Sequence, residues 1–178
     1  MSSLIYRWEL LGILIIFFLG AVIHEAYRLS GYNNIVALFA PVNESVWEHL
    51  KMAVTAILLF SLIESFYIPE TNNFILAKTC SIYLVPILIA GMHYFYKQLI
   101  SNHHLALDLL VFLLAIAAGQ LVSYGFLISS EHYTRLTTLA LAADFLIIFL
   151  FVYATFNPPK IPIFKDGPTG LYGINLKK

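Results

Sequence analysis

The sequence predicts an all-α membrane protein: a bundle of five transmembrane helices with a short re-entrant or interfacial segment after the first. Three observations carry that reading. Of 178 residues, 60% are hydrophobic and only 11% are charged, far less charge than a water-soluble domain carries. The mean hydropathy is +0.83. Several nearly uncharged runs reach about 20 residues, the length that crosses a hydrocarbon core of about 30 Å as a helix. The lone cysteine, Cys80, excludes an internal disulfide and any C-x-x-C metal or redox motif. A formal net charge of zero gives no electrostatic footprint for nucleic acid.

The chain reads as one integral membrane domain over 1–178. Its first span, 10–27, follows Arg7 and Glu9 and is closed by Arg28, Ser30 and Gly31. The run is too long for a cleaved leader and lacks a small-x-small site after its apolar stretch. Residues 32–42 hold an apolar core too short to cross, bracketed by Asn33, Asn34 and Pro41, hence the re-entrant or interfacial segment. The second span, 46–68, stops at Pro69. The third, 74–96, contains Pro86, which lacks an amide proton and should bend the helix. The fourth, 103–128, carries Ala115, Ala118 and Gly119, a face on which another helix can approach closely. The fifth, 132–156, ends at Asn157, Pro158 and Pro159, and the tail 157–178 holds too few apolar residues to fold alone.

Basic residues set the expected orientation. One side has Arg28, Lys51, Lys97, Lys160, Lys165, Lys177 and Lys178; the other has Arg7, Lys78 and Arg135. Lysine and arginine are retained in the cytoplasm, so the amino terminus is expected outside and the carboxyl terminus inside.

Threading the spans through one bilayer gathers polar residues at the inner end. The run V-N-E-S-V-W-E-H-L-K, Val42 to Lys51, is the densest in chemistry. His24 and Glu25 end the first span, His93 and Tyr96 end the third, and His103, His104 and Asp108 begin the fourth. Ionisable groups inside a membrane are costly, so they should turn inward and find partners. The expected result is one polar pocket facing the cytoplasm. Imidazole and carboxylate donors suit zinc or another divalent first-row metal, which makes His24, Glu48, His49, His93, His104 and Asp108 the candidate ligands. Glu44 or Glu25 is then the candidate general base. His104 and Asp108, four apart, could hydrogen-bond and fix a ligand tautomer. Glu44, Glu48 and Lys51 fall on one stripe, where the lysine neutralises the carboxylates.

Plainer roles stand beside these. Ser45-x-x-Glu48 is a capping box, in which Glu48 reaches back to the Ser45 amide. Glu44 in the first turn suits the helix dipole. Asp144, near the middle of the fifth span, is either a functional carboxylate or a protonated one bonded to a neighbouring helix. Glu64 and Lys78 approach the outer face as a structural pair.

Three segments carry a resemblance. H-E-A-Y-R-L-S-G (His24 to Gly31), followed by P-V-N-E-S-V-W-E-H-L-K (Pro41 to Lys51), resembles the hallmark of an uncharacterised family of small bacterial multi-pass membrane proteins. The tail P-I-F-K-D-G-P-T-G-L-Y-G (Pro162 to Gly173) is similar to that family's closing segment. The resemblance implies the cytoplasmic membrane of a bacterium and supplies no activity. The chain is also similar in idea to alkaline-ceramidase-type membrane hydrolases, which place histidines and an aspartate around zinc, but it lacks their seven-helix length and the paired histidines of their last helix.

Three functions are compatible with the residues: a metal-dependent hydrolase acting on a lipid-like substrate from the bilayer, a small proton-coupled transporter with Asp144 as its midplane station, or a non-catalytic protein whose polar cluster fixes helix packing. The absence of an inverted repeat weighs against the transporter.

Overall fold

The computed structural model describes residues 2–68, 71–100 and 104–174. It contains five helices, α1 (Ser2–Leu29), α2 (Val46–Glu64), α3 (Phe74–Leu99), α4 (Leu105–Leu127) and α5 (Thr134–Phe156), with 3-10 turns at Val36–Leu38 and Pro162–Phe164. All five helices are long and apolar enough to cross a membrane, and no strand occurs among the described residues.

In α2 and α3, 56% and 50% of the apolar window is buried, against 22–28% in α1, α4 and α5. The first two therefore form the centre. The outer three present Phe18, Val22, Leu121, Phe145 and Phe149 to the surroundings, an apolar coat that suits lipid rather than water. Between α3 and α4 the small face works as expected. A Cβ on Gly119 would sit 2.5 Å from Val85 Cγ2 and 2.7 Å from Ser81 Oγ, so only a bare backbone permits that approach. Through Pro86, α3 continues unbroken.

Helix α1 begins at Ser2, well before the expected residue 10, because Glu9 is no flanking charge. Glu9 is buried against Lys78 of α3, so the helix runs through it. Helix α2 starts where its cap predicts: Ser45 Oγ accepts from Glu48 N–H at 3.4 Å. The other half of the capping box is replaced. Ser45 N–H donates to Asn43 Oδ1 at 2.9 Å, while the Glu48 carboxylate turns away to Val42 N–H at 3.1 Å and to Lys51.

The tail folds by docking. Trp47 of α2 lies between Phe151 and Phe164, with ring centroids 4.7 and 4.6 Å away. Asp166 is buried, accepting the Glu44 N–H at 2.8 Å and the Thr169 N–H at 3.0 Å. Asn43 Nδ2 donates to the Gly173 carbonyl at 2.9 Å, where Gly173 holds φ +70°. Such a conformation is open to glycine at no steric cost.

Candidate functional site

Alternating helix directions bring the end of α1, the start of α2, the end of α3, the start of α4 and the tail to one end of the bundle. There His24, Glu44 and His49 converge. Glu44 Oε2 lies 3.5 Å from His24 Nε2 and 3.5 Å from His49 Nε2. One ligand atom from each of the three residues lies within 4.8 Å of the others. The imidazole rings are 5.2 Å apart and tilted by 46°.

The backs of both rings are held. His24 Nδ1 is 3.2 Å from Glu25 Oε1, and Glu25 is paired in turn with Arg28. His49 Nδ1 is 2.9 Å from the Ser45 carbonyl one turn earlier. A carbonyl can only accept, so this contact requires Nδ1–H on His49 and leaves its Nε2 facing Glu44. The Glu44 backbone is fixed by Asp166 from the tail. About a third of each imidazole, 30% and 33%, and half of Glu44, 51%, remain exposed, so water reaches the cluster.

A second group lies alongside. His93 Nδ1 is 3.4 Å from Asp108 Oδ1 and 3.2 Å from the Tyr96 hydroxyl, which also donates to Asp108. His93 is near enough to His49 for the two imidazoles to influence each other electrostatically. Asp108 thus turns toward α3. The side chain of His104 is exposed, and its carbonyl accepts the Asp108 N–H at 3.2 Å. His103 lies outside the described residues.

Glu48 and Lys51 are engaged elsewhere. Lys51 is 1% exposed, and its three ammonium protons meet Glu48 Oε2 at 2.6 Å, the Ala37 carbonyl at 2.7 Å and Thr155 Oγ1 at 2.8 Å. This is a clamp joining α2, the Val36–Leu38 turn and α5, and it holds Glu48 away from the histidines. The expected stripe shared with Glu44 therefore reduces to the Glu48–Lys51 pair. Asp144 accepts from Thr79 Oγ1 at 2.7 Å, beside Tyr83, whose hydroxyl donates to the Ala143 carbonyl at 2.6 Å.

Sequence reasoning missed Asp166, Thr155 and Glu9. For Asp166 a signal existed: aspartate before Gly-Pro-Thr-Gly is a turn residue that can accept backbone protons two or three positions on. Thr155 gave none, since a threonine at a helix end is unremarkable. Glu9 could have been matched by depth to Lys78 and Glu64.

Fold and geometry define a class: a five-helix bundle of membrane-spanning type with a histidine–glutamate cluster at one end. The chain belongs to a family of unknown function, DUF6512, which it matches over residues 1–174. No curated protein and no solved structure matches it. All three segments that carried the resemblance lie within that match, and the Asp166 and Asn43 hydrogen bonds place residues 41–51 against the tail segment.

Proposed function

We propose that His24, Glu44 and His49 bind zinc or another divalent first-row metal, and that the protein is a metal-dependent hydrolase acting on a lipid-like substrate. One observation carries the reading: ligand atoms from all three residues lie within 4.8 Å of one another while the opposite ring nitrogens are engaged behind them. Zinc bonds of about 2.0–2.2 Å in a tetrahedron separate ligands by about 3.4 Å, close to the two 3.5 Å distances from Glu44. Two histidines and a glutamate leave one position open, the donor set of a catalytic zinc rather than a structural one.

Zinc held there would supply a bound water acidic enough to ionise near neutral pH, and Glu44 would serve as one of its ligands. Glu25, behind His24, acts by orienting the imidazole and strengthening it as a donor. A lipid-like substrate is supported by position: the cluster lies at the end of a helix whose Phe18, Val22 and Leu29 are exposed. A headgroup at the interface can reach the metal while its chains stay in the bilayer.

The orientation retains an outside amino terminus. Lys51 and Lys78 are buried in ion pairs and drop out of the charge comparison, leaving six basic residues against two on the sides assigned from the sequence. A cysteine label at Lys178 should be unreachable from outside intact cells, and outside labelling inverts the assignment.

Elemental analysis of protein purified in mild detergent tests the metal. About one divalent ion per chain is expected, with loss in His24→Ala and His49→Ala and retention in His104→Ala. Stoichiometric metal lacking in the wild type, or unchanged in both cluster variants, refutes the site. Lipid turnover in zinc-loaded proteoliposomes that persists in His24→Ala refutes the hydrolase while leaving the metal in place.

A further inference from the structure

At the end of the bundle opposite the histidines, Lys78 of α3 reaches two carboxylates at once. Its Nζ lies 2.7 Å from Glu9 Oε1 of α1 and is paired with Glu64 of α2. All three are deeply buried, with exposures of 3% for Glu9, 0% for Glu64 and 4% for Lys78. Among the described residues no further charged group pairs with these three. From α4 come Ser123, whose hydroxyl donates to Glu9 Oε1 at 2.6 Å, and Gln120, whose Nε2 donates to the Glu9 carbonyl at 3.5 Å. Asp144 of α5 is bonded to Thr79, the residue after Lys78.

Two carboxylates against one ammonium leave one negative charge where low polarity penalises it. We propose that Glu9, Glu64 and Lys78 form a buried proton-binding site, in which one exchangeable proton is held by Glu64.

The distribution of donors selects Glu64. Glu9 takes the ammonium and the Ser123 hydroxyl, two donors that favour its ionised form. Each carboxylate keeps one oxygen without a hydrogen-bond partner among the described residues, Oε2 of Glu9 and Oε1 of Glu64, but Glu64 has Lys78 as its one donor there, where Glu9 has two. A second observation points to the same place. Ser61, Ser81 and Gln120 lie three residues from Glu64, Lys78 and Ser123 on their helices, one turn deeper into the bundle. Ser61 Oγ, Ser81 Oγ and Gln120 Oε1 are likewise buried without partners. Buried polar atoms of native proteins are paired, with ordered water filling the gaps. None of these oxygens bonds Glu64 directly, so a water held among them would be the acceptor for its proton. A metal ion fits less well, because Lys78 already occupies the position between the carboxylates that a cation would take.

Infrared spectroscopy of the full chain in lipid nanodiscs tests the site. At neutral pH a carboxylic-acid carbonyl band is expected that shifts on labelling with 13C-glutamate. The label separates it from Asp144, and Glu48 is already balanced by Lys51. Glu64→Gln and Glu9→Gln each restore charge balance, so either should abolish the band, whereas Asp144→Asn keeps it. Exchange of sodium for potassium should leave it unchanged. A wild-type spectrum without a label-sensitive band overturns the proposal even if neither variant folds. Persistence of the band in both glutamine variants, or its suppression by sodium, overturns it as well.

Discussion

Replacing Lys51 by methionine should unfold this bundle more readily than any single change at the histidine cluster. The ammonium satisfies Glu48, the Ala37 carbonyl and Thr155 at 2.6–2.8 Å, in a place where Lys51 is 1% exposed and Glu48 3%. Lys51→Met keeps the length of the side chain and removes the charge. Glu48 is then left ionised and buried, with the Val42 N–H at 3.1 Å and Thr155 at 3.4 Å as its remaining contacts. Breaking a buried pair from one side costs about 3–5 kcal/mol. At about 2–4 °C per kcal/mol for a chain of this size, the melting temperature should fall by roughly 6–20 °C. Thermal melts in mild detergent, followed by tryptophan fluorescence, read the shift. Adding Glu48→Gln should recover most of it, because a buried ion pair and a neutral replacement of similar volume are often close in stability. A single variant that melts within about 2 °C of wild type, or a double variant that melts below the single one, refutes the clamp, given that the single loss should reach several degrees.

Two further outcomes follow from the geometry. Gly119→Ala should cost about 1–3 kcal/mol through overpacking against Val85 and Ser81, whereas Gly91→Ala, with nothing within 4 Å of its Cβ, should be neutral or mildly stabilising in the same melts. Asp166→Ala should weaken zinc binding by about 10- to 100-fold, as loss of a supporting hydrogen bond behind a metal ligand does; competition against a chromophoric chelator measures it, and unchanged affinity separates the tail from the cluster.

The helices were legible because burial in a bilayer imposes length and apolarity on each span independently of its neighbours. The start of α2 was legible for a different reason, since a cap is local chemistry written within four residues. Partner choice was not local. Glu48 had two routes within its own segment, the Ser45 amide or the histidines, and it took neither. Ala37 and Thr155, contributed from 14 residues before and 104 residues after Lys51, complete the site that the Lys51–Glu48 pair fills. The start of α1 was not legible on the same account: Glu9 looks like a boundary charge until Lys78, 69 residues later, is set beside it. The tail's shortage of apolar residues was plain in the sequence, but not the surface it packs on. Its partner was the Trp47 surface at the start of α2.

That docking has a consequence for how the protein is made. The acceptor that fixes the Glu44 amide lies 122 residues downstream, so ribosomes have delivered every helix to the membrane before Asp166 emerges. Until then the segment between α1 and α2 lacks its clasp. Nascent chains arrested short of residue 166 should therefore be cleaved by protease near Glu44, and released full-length chains should resist. Assembly of this end of the molecule therefore waits until translation has passed α5.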